Sequence, residues 1–298
     1  MASPYITPDI LTNAPTGISW ETVPNYDSTL TEQLAEQTNI CWRATHFIDE
    51  FCNQPLRSTI NTEEALGPDY RITVDRNGLV RFVPSRWPVT NVLGGQYSAS
   101  FVVPPQWVPI PDTAMYVENI NSVSGDVSTV AAAGPSSILI SPGYVSWWNG
   151  RRGCRMQVTY TNGYAHAGMQ ANTQIGDTTI VVDDCTGMTD TTMMIYDGSA
   201  TETVTVKSTT VVEGPGTATL ATGLLFPHAA SVQKPLIVSS MPSAIQQAAI
   251  NYATYITLTR GATATTVQMM PGASTGGSGA AGLLQDAKDL LKPYRRVL

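Results

Sequence analysis

Charge is scarce in this chain. Asp, Glu, Lys and Arg make up 13% of its 298 residues, whereas soluble domains usually carry about a quarter. With 16 bases against 23 acids the formal net charge is −7. That argues against a nucleic-acid-binding surface, because neutralising phosphates takes clustered Lys and Arg. Long apolar runs are also missing, and none approaches the ~20 residues needed to span a bilayer. The opening Met1-Ala-Ser-Pro-Tyr-Ile-Thr-Pro8 has neither a charged n-region nor an apolar h-region. No secretory signal is therefore expected, and the product should be cytosolic when made. Cysteine is limited to Cys41, Cys52, Cys154 and Cys185. Cys41 and Cys52 would share a helix face ~16 Å apart, beyond the ~7 Å that a disulfide tolerates. They read as small core residues.

Thr, Ser, Gly, Ala and Pro fill the space left by charge, together with 6 Trp and 12 Tyr. Such a surface suits a protein pressed against neighbours, and also a small β-rich secreted domain. The charge that exists is segregated. Residues 165–240 hold seven acids against Lys207 and Lys234, while 286–298 hold Lys288, Lys292, Arg295 and Arg296 against Asp286 and Asp289.

Residues 1–27, punctuated by Pro4, Pro8, Pro15 and Pro24, read as an extended N-terminal arm with at most a short helix near Pro8–Asn13. Thr29 and Glu32 form a capping box. Leu30, Leu34, Cys41, Ile48 and Phe51, with Ile40, Ala44 and Phe47 alongside, predict a helix to about Cys52, ended by Pro55. Tyr70–Val83 alternates as a hairpin, and Asn77-Gly78 predicts a type I′ turn. From 99 to 150 the chain reads as a long, irregular Pro- and Trp-bearing excursion with one candidate strand at Ser136–Ile140. A strand follows at Cys154–Tyr160.

Residues 165–240 change character. Thr178–Asp183, Thr192–Tyr196, Thr201–Lys207 and Thr217–Leu220 are short β-branched runs between Gly-containing turns, which predicts an inserted β-module, a small barrel or a sandwich. Its ends, Tyr164 and Met241, should lie close together. The chain returns to helix at Pro242 with a stop at Gly261. A Gly/Ser linker (263–279), a short helix through Leu291 and a basic tail complete it. The expected class is α+β: 28–164 and 241–298 form a small helical core with a β-hairpin, interrupted by 165–240.

Sites with chemistry are few. His46, His166 and His228 are scattered, with no metal-ligand spacing to each other or to a cysteine. Ser278 in a Gly-Ser-Gly setting lacks the strand of a nucleophile elbow, and the same run lacks the Lys of a phosphate loop. Asp183, Asp184, Asp190, Asp197 and Glu202 form the best acidic cluster, which could hold Ca²⁺ or act as a carboxylate pair. Each borders a Thr/Gly turn, where Asp commonly bonds its own backbone, and that reading is preferred. Neither a cofactor nor a metal is expected. Trp107, Trp147 and Trp148 could form a sugar platform or pack in a core, but subunit contact is preferred. Pro293, Tyr294, Arg295, Arg296, Val297 and Leu298 form either a solvated end or a pre-extended peptide that docks on a partner.

Three separated stretches resemble a known family: Val158-Thr-Tyr-Thr-Asn-Gly-Tyr164, Met241-Pro-Ser-Ala-Ile-Gln-Gln-Ala-Ala-Ile250 and Leu290-Leu-Lys-Pro-Tyr-Arg-Arg-Val-Leu298. Ala44-x-x-Phe-Ile-Asp-x-Phe-Cys52 and Arg86-Trp-Pro-Val89 add to the likeness. Together they resemble the head–tail connector (adaptor) proteins of long-tailed bacteriophages, across a little under half of the chain. The departures are the 165–240 insertion, the 99–150 excursion and the size. The resemblance implies a non-enzymatic virion protein, assembled in the host bacterial cytoplasm and placed at the head–tail interface. Its copies would form a dodecameric ring between the portal protein and a tail-side connector or tail terminator. DNA would leave through the channel without sequence-specific binding, and a wall with few bases would let it slide. The resemblance also implies that 293–298 engages the portal. The alternative is a baseplate or tail-tip protein whose β-module binds host carbohydrate.

Overall fold

The computed structural model describes residues 3–24, 27–66, 71–98, 104–119, 136–142, 155–231, 234–260 and 279–296. The class is α+β, as the sequence predicts. The chain divides into two compact units, Met1–Leu56 with Ala165–Leu298, and Arg57–Tyr164. The long helix thus shares a unit with the 165–240 segment, whereas the sequence reading groups it with the hairpin.

The first unit begins with α1 (Pro8–Asn13), capped by the Thr7 hydroxyl, which accepts from the Ile10 N–H. This stretch is not a free arm. Tyr5, Ile6 and Leu11 are fully buried, and Ile18, Trp20 and Val23 nearly so. The Tyr5 N–H donates to Thr45 Oγ1, and Gln37 Nε2 donates to the Trp20 carbonyl. Proline had hidden the burial, because large apolar residues at irregular spacing carry no periodicity.

Helix α2 (Leu30–Cys52) starts at the expected capping box. Thr29 Oγ1 accepts from the Glu32 N–H at 3.3 Å, and the Thr29 N–H donates to Glu32 Oε2 at 2.8 Å. Its core stripe is Ile40, Cys41, Ala44, Ile48 and Cys52, all fully buried. Leu30, assigned to that stripe by spacing, is 80% exposed. Burial sets in only from Gln37, about two turns later. The helix ends at Asn53, whose positive φ of 56° suits a C-terminal cap.

The Arg57–Tyr164 unit packs two antiparallel sheets face to face. Strands β1 (Thr59–Leu66), β2 (Ile72–Val74), β3 (Val80–Phe82), β4 (Val89–Ser98), β5 (Val108–Ile110), β6 (Met115–Asn119), β7 (Ser136–Ile140) and β8 (Arg155–Asn162) form the orders β1-β8-β4-β5 and β2-β3-β7-β6. Phe82, Ile138 and Ile140 from one sheet meet Met156, Val158 and Tyr160 from the other. The excursion therefore contributes β5 and β6 besides β7, which coincides with the candidate strand at Ser136–Ile140. Pro109 obscured β5, and Pro is tolerated there because β5 is an edge strand. The β2–β3 turn also differs from the type I′ expectation. It spans Asp75–Leu79, with left-handed backbone at Gly78 (φ 82°), while the Asp75 carboxylate accepts from the N–H groups of Asn77 and Leu79.

The 165–240 segment forms β9 (His166–Gly168), β10 (Thr179–Val182), β11 (Thr191–Tyr196), β12 (Glu202–Thr209), β13 (Gly216–Leu220) and β14 (Ile237–Ser239), ordered β10-β13-β12-β11-β14-β9. A bridge between Met169 and Val182, with the Asp183 N–H donating to the Gly168 carbonyl at 3.0 Å, joins the two outer strands. The sheet thus curls into a small barrel filled by Ile180, Val182, Ile195, Val206, Ala218 and Val238. In β12, burial alternates with the period of 2 expected of a Thr/Val strand. The segment begins and ends at one point: the Ser240 N–H donates to the Ala165 carbonyl at 2.8 Å.

The chain then enters α3 (Ser243–Arg260) and α4 (Gly279–Leu291), which pack on each other and on α2. Ile245, Ala248, Ala249 and Ala253 of α3 and Ala287 and Leu291 of α4 are fully buried. The expected stop at Gly261 and nearly all of the 263–279 linker lie outside the described residues.

Candidate functional site

The acidic residues singled out in the barrel do not form one site. Asp183 Oδ1 accepts from the Gly168 N–H at 2.7 Å, and its Oδ2 accepts from the Ser3 hydroxyl at 2.9 Å. Burial pushes its carboxyl above the usual value, against the opposing effect of those two bonds. Asp184 accepts from the N–H and hydroxyl of Thr186, two residues on, and from the Gly214 N–H. Asp190 occupies a turn with φ of 56°. Among the described residues no group of His, Cys, Asp and Glu is arranged to hold a metal ion.

Asp197 and Glu202 are different. Asp197 follows β11 and Glu202 opens β12, and the short 3-10 turn Gly198–Ala200 between them aims both carboxylates at the ring of His228. Nδ1 lies 3.0 Å from Asp197 Oδ2, and Nε2 lies 2.9 Å from Glu202 Oε1. Lys234 Nζ donates to Asp197 Oδ1. The Leu225 N–H donates to Glu202 Oε2 at 2.9 Å and the Phe226 N–H to Oε1 at 3.1 Å. The His228 side chain is 0% exposed and the two carboxylates are 5% and 4% exposed. Burial works to raise both carboxyls. Hydrogen bonds from Lys234 and His228 to Asp197, and from Leu225, His228 and Phe226 to Glu202, outweigh it and hold both below the ordinary range. Lys234 is raised by its bond to Asp197.

Asp197 and Glu202 stand among the acidic residues singled out from the sequence, but spacing does not link them to His228, 31 and 26 residues away. Chemically it is a clamp. Both ring nitrogens face carboxylates, so neither is open to take a proton from a substrate. Comparison with known protein families, curated proteins and solved structures finds no match to this chain.

A second feature lies on the helices. The rings of Phe47 (α2) and Tyr252 (α3) stack at 3.8 Å and 3°. Phe51 and Tyr255 extend the row at 6.1 Å and 5.9 Å. All four are half-buried, and the Arg295 guanidinium lies 5.3 Å from the Phe51 centroid. The C-terminal stretch is therefore not a loose end. After a 3-10 turn at Lys292–Tyr294 that contains Pro293, the Arg296 N–H donates to the Cys52 carbonyl at 2.9 Å. Asn53 Nδ2 and Gln54 Nε2 donate to the carbonyls of Arg296 and Tyr294. Tyr294 is buried, which raises its phenol above the usual value. Burial likewise pushes the Cys41 and Cys52 thiols up to about 12, which makes them inert core groups. Val297 and Leu298 lie outside the described residues, as do Trp147 and Trp148. Trp107 is half-buried just before β5.

Proposed function

We propose that this chain is a structural subunit of the head–tail connector of a long-tailed bacteriophage. Its copies close into a dodecameric ring between the portal protein and the tail-side connector or tail terminator, and DNA leaves through the bore. The observation that carries the reading is the junction at Ala165 and Ser240. The family-like strand (158–164) and helix (241–250) flank a barrel whose two ends share a backbone hydrogen bond of 2.8 Å, as an inserted lobe requires. Removing the lobe in thought restores the short connection found in the family. The half-buried aromatic row beside the basic tail gives the helical face the composition of a contact surface, since aromatics and Arg are enriched where proteins meet. Ring closure would come from one heterologous interface repeated around an axis. On this reading the protein works mechanically and carries out no catalysis.

Electron microscopy and native mass spectrometry of the purified chain, alone and with its portal protein, test the proposal. The expected product is a closed ring that co-purifies with the portal. A chain that stays monomeric under both conditions, or a trimer that binds cell-wall glycan, would overturn it.

A further inference from the structure

We infer that His228 sits in the folded barrel as the doubly protonated imidazolium, the central link of a four-charge chain, Lys234–Asp197–His228–Glu202, that fixes the return loop through Leu225 and Phe226. The inference does not depend on the ring reading. A neutral imidazole carries one N–H and one lone pair, yet each ring nitrogen faces a carboxylate oxygen at 2.9–3.0 Å. With a single N–H, one of those contacts would set a lone pair against an anion in a site closed to water. That is costly.

A proton moved onto Glu202 would relieve the clash, but the backbone opposes it. Both Glu202 oxygens accept main-chain N–H groups, which favours the ionised carboxylate. Asp197 is held ionised by the Lys234 ammonium on its other oxygen. Two cations and two anions alternate and sum to zero, whereas a neutral ring would leave a net negative charge inside the barrel. The charged groups about the ring are Asp197 at the end of β11 and Glu202 at the start of β12. One step out is Lys234 of the return segment, on which Asp9 of α1 also acts. The backbone of His228 is anchored by two hydrogen bonds exchanged with Thr173, and its fully buried ring is held between the two carboxylates. The loop held this way carries Leu225, 69% exposed, and Phe226, 40% exposed, into water.

Nitrogen-15 NMR of the full chain near neutral pH tests this, with His228 assigned through its ring's proximity to the Phe226 amide. The expected spectrum shows two exchange-protected ring N–H groups at His228. In His228→Gln, which can fill only one contact with a neutral donor, Leu225 and Phe226 amides should exchange about ten- to a hundredfold faster, as losing a charge-assisted bond implies. A single ring N–H at His228 would overturn the inference, and so would unchanged loop exchange in His228→Gln. Should that variant fail to fold, the wild-type ring spectrum decides alone.

Discussion

The Tyr5 hydroxyl donates to Asp49 Oδ1 at 2.5 Å and accepts the Leu56 N–H at 2.9 Å, so one phenol ties the N-terminal stretch to both sides of the α2 terminus. Tyr5→Phe keeps the ring and removes both bonds. A hydrogen bond to a charged group contributes about 1.5–3 kcal/mol. The variant should therefore lose roughly 2 kcal/mol in urea unfolding, with little change in slope. No loss would mean that the two hydroxyl bonds add nothing net to stability, leaving burial of Tyr5, Ile6 and Leu11 to hold the N-terminal stretch.

Asp197 and Glu202 give the barrel an acid limit. Their carboxyls sit below the ordinary range in the fold, so the stability they contribute is complete above the unfolded-chain values, ~4. It is lost as pH falls through the folded values. Asp183 works the other way, because its raised carboxyl favours the protonated form and contributes most at low pH. Thermal unfolding followed from pH 7 downward should show a net fall below about pH 4. Asp197→Asn should flatten that fall. It should also cost on the order of 3 kcal/mol at neutral pH, the effect of removing one partner of a buried pair.

Gly223 lies against the neighbouring loop. A Cβ there would sit 2.7 Å from the Gly176 carbonyl oxygen and 3.0 Å from the Gly176 carbonyl carbon and Cα. These are backbone atoms, in a loop fixed by the Gly176 N–H donating to the Leu224 carbonyl. Gly223→Ala should destabilise the barrel by about 1–3 kcal/mol, as overpacking does, seen as a lowered melting temperature. An unchanged melting temperature would show that the two loops part freely.

Removing 295–298 separates docking from folding. The deletion leaves Tyr294 buried and gives up the contact of the exposed Arg295 with the half-buried Phe51 ring, worth about 0.5–1 kcal/mol. It also gives up the Arg295–Lys292 and Arg296–Cys52 backbone bonds and the Asn53 bond to the Arg296 carbonyl, each worth about 1 kcal/mol. The subunit should stay folded by circular dichroism yet fail to capture the portal. Undiminished capture would remove the tail from the proposed interface.

The sequence was most legible where structure is local. The Thr29/Glu32 box, the Pro8–Asn13 helix and four of the six barrel strands (β10 to β13) are set by neighbours a few residues away, and their boundaries agree with expectation to within about two residues. Strand β5 escaped notice because Pro109 breaks its alternation, and the residue pattern does not predict β1, β4, β6, β9 and β14 either.

The α+β class, the position of α2 and the existence of a β-rich 165–240 segment were determined by the amino-acid sequence itself, through capping, 3.6-residue periodicity and β-branched alternation. Tertiary structure alone decided that Asp197 and Glu202 grip His228, that the tail folds back on Asn53 and Gln54, and that Phe47 stacks on Tyr252. Propensity acts over a few bonds. These pairings depend on which strands share a register and which helices touch, and burial then strengthens them by excluding water.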